Sequence, residues 1–250
     1  MTTYVRECYI VFWRQLRMNL RNPAWVLIGA FQPVLYVLLF GPLLEPLIDQ
    51  FGATNAYTFF IPGMLVQLGI FGAFFAGFSL IGEWREGVIE AERVTPAARS
   101  SLLVGRLMRD ELQLLVQALI LVALGYLLGM DASFGGMVLG VVLTLLIGGA
   151  CAASSNAFAL TVKSEDVMAP VINMVMMPVL LLSGILLPMT IGPSWLERAS
   201  DFMPIRHVVD AVRGAFGGDY SSMFWGVSWS VLLFAVAVWW GTSTFRKENA

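Results

Sequence analysis

The residues best placed to do chemistry are charged side chains at the edges of apolar sequence. Arg206, Asp210 and Arg213 are four and three residues apart. That spacing lets a short helix form i,i+4 and i,i+3 ion pairs. They close a stretch, 183–213, that also holds Pro188, Pro193 and Pro204 between two long apolar segments. No single helix can run through prolines so placed. Broken, half-polar backbone beside a membrane lines a route or a gate. A second charged set gathers at 83–111. There Glu86, Glu90, Glu92 and Arg93 are expected to project from a short helix. Thr95-Pro96 stops that helix, because the residue before proline is pushed out of helical angles. Ser100 or Ser101 is then placed to cap the next one. A rigid charged helix joined to two spans is a lever, since a partner gripping it moves both.

The sequence offers no bond-making constellation. His207 is the one histidine, with no histidine or cysteine near it to share a metal. Its reading is a structural or interfacial hydrogen-bonding role. H-E-x-x-H, G-x-S-x-G and the phosphate-binding G-x-x-x-x-G-K-[ST] are all missing from the sequence. The chain is therefore not expected to be an enzyme by itself, or to bind ATP. Cys8 and Cys151 lie far apart and read as small apolar residues, with neither a disulfide nor a metal site between them.

The elements that must carry these residues are membrane spans. The chain has 250 residues, 58% hydrophobic and 13% charged, where soluble domains carry about a quarter charged. Mean hydropathy is +0.77. The net charge of −2 leaves no nucleic-acid footprint. A spanning helix needs about 20 apolar residues. Six spans are expected, at about 24–44, 58–82, 107–129, 135–161, 167–188 and 222–245. The fold class is thus all-α and polytopic, a single domain over 1–250, with a coupling region at 83–100 and a re-entrant segment at 189–219. Pro170, Pro178 and Pro188 make the fifth span the one expected to break.

Orientation follows the basic residues. With both termini cytoplasmic, twelve of the fifteen Lys and Arg lie inside, and Arg198, Arg206 and Arg213 lie outside. Residues 3–21 form a separate amphipathic helix. Val5, Tyr9, Phe12, Leu16 and Leu20 share one face, and Arg6, Arg14, Arg17 and Arg21 gather on another, as in an interfacial helix on anionic headgroups. Asn22-Pro23 ends it.

The span interiors are expected to hold neutral polar residues and no ionisable ones: Gln32, Gln67, Gln113, Gln117, Thr144, Asn156 and Asn173. These can join helices by hydrogen bonds. Ion-coupled carriers keep ionisable groups at membrane depth, so the driving force is expected from outside the spans.

Three stretches together resemble the type-2 permease family of ABC transporters. The first is Phe60-Ile-Pro-Gly-Met-Leu-Val-Gln67. The second is Arg85-Glu-Gly-Val-Ile-Glu90 with Arg93-Val-Thr-Pro96 and Leu103-Val-Gly-Arg106. The third runs from Ser183-Gly184 through Pro188, Trp195-Leu196, Pro204, Val209-Asp210 and Arg213. The resemblance covers essentially the whole chain, in order, and is nearest to the daunorubicin-resistance and nodulation-factor export branch. A departure is Ile205-Arg206-His207, where the family more often has Leu-Thr-Tyr or Leu-Thr-His.

The resemblance implies a permease subunit in a bacterial plasma (inner) membrane, exporting hydrophobic drugs, antibiotics or lipid-like molecules. It would pair with a second copy or a related permease, above two soluble ABC ATPase subunits that hold the ATP and Mg. Glu86, Gly87, Glu90, Glu92, Thr95 and Pro96 would couple to the ATPase. Spans two and five would offer Met64, Gln67, Phe71, Phe74, Phe75, Asn173, Met174 and Met177 to the cargo cavity, where Met and Phe suit varied apolar cargo. Pro188, Trp195, Pro204, His207, Asp210 and Arg213 would form the outer gate. Rivals are export of a polysaccharide or glycolipid, an ion-coupled carrier, and a non-transporting scaffold.

Overall fold

A computed structural model describes residues 2–21, 24–46, 48, 55–95 and 98–248. Among these, the regular structure is helical, without strands. The chain opens with α1 (Thr2–Arg21) and α2 (Ala24–Leu44). Next come α3 (Ala56–Phe74), α4 (Ala76–Arg85) and the short α5 (Val88–Arg93). Two long helices follow, α6 (Arg99–Leu127) and α7 (Phe134–Val162). The last group is α8 (Glu165–Leu182), α9 (Ser194–Asp201), α10 (Pro204–Gly217) and α11 (Met223–Glu248).

Among the described residues, five segments are long and apolar enough to cross a membrane: 56–85, 100–127, 134–162, 165–182 and 223–245. The chain is thus an all-α protein with several membrane-crossing helices. In α2 the apolar helix spans only 28–44 of the residues whose side chains are described.

α7 is the centre of the bundle. Its run Gly148-Gly149-Ala150-Cys151-Ala152-Ala153 has almost no side-chain bulk, so neighbouring helices come close. α11, α3, α10 and α4 pack around it. Local caps set where helices begin. Asn55 Oδ1 accepts from the amides of Tyr57 at 2.8 Å and Thr58 at 3.3 Å to start α3. Ser133 Oγ accepts from Gly136 N at 3.1 Å to start α7. Asn55 Nδ2 also donates to Gly129 O at 2.9 Å, tying the α6–α7 turn to the start of α3.

The structure departs from the sequence reading at four points. Pro170 and Pro178 do not break α8, which runs through both; proline is tolerated in membrane helices whose surroundings re-satisfy the backbone. The chain turns instead at Gly184, where φ is +73°. The 183–213 segment then becomes a single 3₁₀ turn at Met189–Ile191 followed by α9 and α10.

The second departure is α1, which has three faces. Val5, Tyr9 and Leu20 are exposed, while Cys8, Val11 and Gln15 are buried against α6. Third, the cap of α6 is neither Ser100 nor Ser101. Ala98 holds the N-cap position, and Glu7 of α1 accepts from Ala98 N at 2.9 Å and from Ser101 Oγ at 3.1 Å. A carboxylate there also faces the positive end of the helix dipole. Fourth, α6 runs on beyond the charge-free stretch, so the same helix also carries Arg106, Arg109, Asp110 and Glu111. The expected break at Asn22-Pro23 lies outside the described residues.

Candidate functional site

The charged region at 83–111 folds into a junction of four helices. α4 ends at Arg85, and Gly87 takes φ +75° to turn the chain. That left-handed conformation strains any residue with a Cβ. The turn launches α5, which ends after one and a half turns. Thr95 Oγ bonds back to Glu92 O at 2.7 Å, and Thr95 N bonds the same carbonyl at 3.1 Å. Ile89 plugs α5 into the core.

α5 has two faces of opposite kind. Glu86, Glu90 and Thr95 are exposed, and Val94 is 87% exposed. Glu92 does not project as expected; it turns inward and is only 7% exposed. It pairs with Arg14 of α1 and, at 2.8 Å, with Arg106 of α6. The physical reason is compensation, since two guanidiniums beneath the helix attract it. Pro96 lies outside the described residues.

Arg106 is the hub. Its side chain is 2% exposed, and it bonds Glu83 of α4 at 2.6 Å and 3.2 Å as well as Glu92. Gln15 of α1 donates to the other oxygen of Glu83 at 2.7 Å. Arg109 donates to Gln15 Oε1 at 3.3 Å and holds Asp110. Three basic and three acidic side chains therefore close one mostly buried network, with Arg14 at its exposed edge. Gly105, just before Arg106, lets α1 approach. A Cβ there would meet Val11 Cβ at 2.7 Å and Cys8 O at 3.0 Å. The pair Gly105-Arg106 is thus a contact point followed by a hub.

The opposite end of the bundle holds the second set. Pro204 opens α10 at its first turn. Arg206 bonds Asp201 at 2.6 Å, lies 3.6 Å from Asp210, and donates to Glu197 O at 2.9 Å, so it gathers α9 onto α10. Arg213 behaves differently from the expected ion pair. It donates to Ile185 O at 2.9 Å and Phe59 O at 3.3 Å, and sits 4.1 Å over the Phe59 ring. Burial pushes its guanidinium down to about 10, which leaves it charged at neutral pH. A side chain on Gly63 would run into the Ile185 carbonyl, so the Pro62-Gly63 motif and Arg213 meet at one place. His207 shares a carbonyl contact with Asp201 O at 3.1 Å and lies 6.4 Å from the Trp229 ring. Trp195 is exposed, as are Leu187, Ile191 and Phe202, and Pro188 lines a cleft with Arg206, Asp210 and Arg213.

The residues expected to line a cavity differ in exposure, and Phe74 shares a cleft with Val171, Ile172 and Val175 of α8. Met64 and Gln67 are buried, because α3 is enclosed on nearly all sides. Phe71 and Phe74 are partly covered, and Phe75 is exposed. On α8, Asn173, Met174 and Met177 are exposed, together with Val167, Val175 and Leu181. Asn173 and Thr144 bond carbonyls of their own helices, whereas Gln113 accepts from Asn19 of α1 at 3.2 Å. Sequence reasoning missed Glu7, Gln15, Glu83 and Arg106 as partners. Their separations of 14 to 94 residues leave no local signal, although Leu103-Val-Gly-Arg106 marked the spot.

Comparison with known proteins gives a consistent picture. The ABC-2 type transporter family matches residues 6–216. The daunorubicin resistance ABC transporter permease protein DrrB1 of Streptomyces coeruleorubidus is 28% identical over 218 residues, covering 86% of this chain and 76% of that one. The putative transport permease ycf38 of Cyanophora paradoxa is 24% identical over 214 residues, 84% and 74% of the two chains. Its counterpart in Pyropia yezoensis is 24% identical over 242 residues, 95% and 80%.

Proposed function

The chain belongs to the ABC-2 type transporter family, and from that premise we propose that it is the permease of an ATP-driven exporter of hydrophobic molecules. Membership makes it a multi-pass membrane component that works with an ABC ATPase subunit. The finer reading has α2 as a first span, giving six, with α1 lying at the interface. Both termini face the cytoplasm of a bacterial inner membrane, since twelve of the fifteen basic residues then lie inside. Two permease chains sit above two ATPase subunits that carry the ATP and Mg.

The observation that carries the reading is the two-faced α5. Its inner face is fixed by Glu92 to α1 and α6, and its outer face offers Glu86, Glu90, Val94 and Thr95 to a partner. ATP-driven closure of the ATPase pair would push on that face. The buried network would pass the push to α4 and α6 together, because a packed polar network moves as a unit rather than deforming. Gly87 begins the lever. At the other end, the α9–α10 segment with Pro188, Trp195, Pro204, His207, Asp210 and Arg213 serves as the outer gate. The cargo path runs along α8, past Asn173, Met174 and Met177 toward Phe71, Phe74 and Phe75. Met64 and Gln67 would join it only if α3 moves. The drug-resistance name of the Streptomyces relative favours apolar drug-like cargo.

The test is ATPase activity of the partner subunit in liposomes, alone and with this chain. Stimulation that requires the chain and drops at least fivefold in Glu90→Lys is the expected result. Stimulation unaffected by Glu90→Lys would remove the outer face of α5 from coupling.

A further inference from the structure

Beside the charged junction lies a cleft of about 320 Å³, walled by Asn19, Phe75, Phe78, Arg109, Asp110 and Gln113. Through Asp110 and Gln113 it continues into an inner chamber of about 30 Å³ next to Glu111 and Gln117. The inner space has room for a water or two.

The carboxylates around it are incompletely partnered. Arg109 gives its Nε to Asp110 Oδ1 at 2.9 Å and spends its other donors on the same oxygen, Gln15 and Ser79. Asp110 Oδ2 is fully buried and has no hydrogen-bond partner among the described residues. Glu111 faces Gly149 and Phe234 and makes no hydrogen bond with any described residue. Glu165 at the mouth is committed to Arg85 at 2.9 Å. Two carboxylates thus share one neighbouring guanidinium, and neither is bonded to a second cation among the described residues. A carboxylate so enclosed is costly until something positive answers it.

Depth and shape say what that could be. α6 has 29 residues, about 44 Å at 1.5 Å per residue, whereas the hydrocarbon core is about 30 Å thick. Its charge-free run starts only after Glu111. Asp110 and Glu111 therefore fall where the core meets the headgroups, the level at which an amphiphile carries its charge. The rings of Phe75 and Phe78, 5.7 Å apart, form an apolar wall whose faces also attract cations.

We propose that this cleft takes the ammonium group of a cationic amphiphile, held by the Asp110 and Glu111 carboxylates, with the apolar body against Phe75 and Phe78. It names a cargo class for the proposed exporter and rests on that reading only for the steps after binding. An ammonium amphiphile could be cargo or an aminophospholipid, and lipid composition separates the two.

The experiment uses the full chain in phosphatidylglycerol nanodiscs, which contain no ammonium lipid. The probe is a diazirine-bearing decyltrimethylammonium, compared with its neutral isostere in which carbon replaces nitrogen. Labelled peptides are mapped by mass spectrometry. The cation is expected to label 75–79 and 109–117 with half-saturation at least tenfold below that of the isostere. Asp110→Asn and Glu111→Gln should each erase that preference. Gln113→Lys, which supplies the chamber with its own ammonium, should do the same while leaving both carboxylates in place. Equal labelling by both probes, or a preference that survives all three substitutions, overturns the proposal. Replacing the lipid by phosphatidylethanolamine decides the source. Competition makes the occupant a lipid ammonium, and undiminished labelling makes it the added amphiphile. Either result keeps the site. Binding is read without ATP, so its failure leaves the ATPase-coupling reading untouched, and an ATPase indifferent to this chain leaves the site untouched.

Discussion

Replacing Arg106 by Met keeps much of the side-chain volume but strips the hub of its charge. Arg106 is 2% exposed and answers both Glu83 and Glu92. Without it, two mostly buried carboxylates lose their main partner. Gln15 still bonds Glu83, and Arg14 still bonds Glu92. Breaking a buried pair by removing one partner costs about 3–5 kcal/mol. For a chain of this length, each kcal/mol shifts Tm by about 2–4 °C, so the expected loss is about 6–20 °C. The assay is thermal unfolding of the purified chain in detergent, followed by loss of the monodisperse chromatographic peak. The triple substitution Arg106→Met, Glu83→Gln and Glu92→Gln should recover more than half the loss, because no charge is then stranded. Glu90→Gln, on the exposed face, should move Tm by under about 2 °C. If Arg106→Met is as mild as Glu90→Gln, the junction is not held together by charge and the lever has no rigid base.

Other substitutions probe the packing and the far end. Gly105→Val should detach α1 from α6, because even a Cβ would meet Val11 at 2.7 Å; faster proteolysis within α1 would register it. Gly87→Ala should lower stability by about 1 kcal/mol through its φ of +75° alone, since no atom stands within 4 Å of the added carbon. A loss in Tm larger than about 4 °C would mean that the turn is packed more tightly than this open space allows. Arg213→Lys keeps the charge but cannot span Phe59 O and Ile185 O in the planar fork that Arg uses. It should lower transport while leaving ATPase stimulation above half of wild type, and equal loss of both would place Arg213 in coupling rather than at the gate.

Much of this molecule is legible from sequence because membrane helices announce themselves by length and by absence of charge. The stretch with Pro188, Pro193 and Pro204 reads as broken, since proline acts locally. The prolines inside α8 mislead for the same reason, because a membrane helix can run on through proline. Glu92 shows the limit more sharply. A helix of six residues has too little periodicity to say which face is buried, and its partners Arg14 and Arg106 are 78 and 14 residues away. A charge-free run ends at its first charge, so Asp110 and Glu111 read as the rim of a span rather than its interior. The structure continues α6 through them and leaves Asp110 Oδ2 without a partner among the described residues. The family resemblance pointed to Gly105-Arg106 without giving the reason, which is a close helix crossing followed by a buried hub.

The central claim is that the exposed face of α5 is where an ABC ATPase grips this chain. Val94, at 87% exposure, is the natural reporter, and the native Cys8 and Cys151 are both buried. Val94→Cys carrying a benzophenone, in membranes with the ATPase subunit, should cross-link to that subunit, and more so with a non-hydrolysable ATP analogue. Phe202→Cys at the opposite end should not. Cross-linking from Phe202 and none from Val94 would contradict the coupling site and the orientation together.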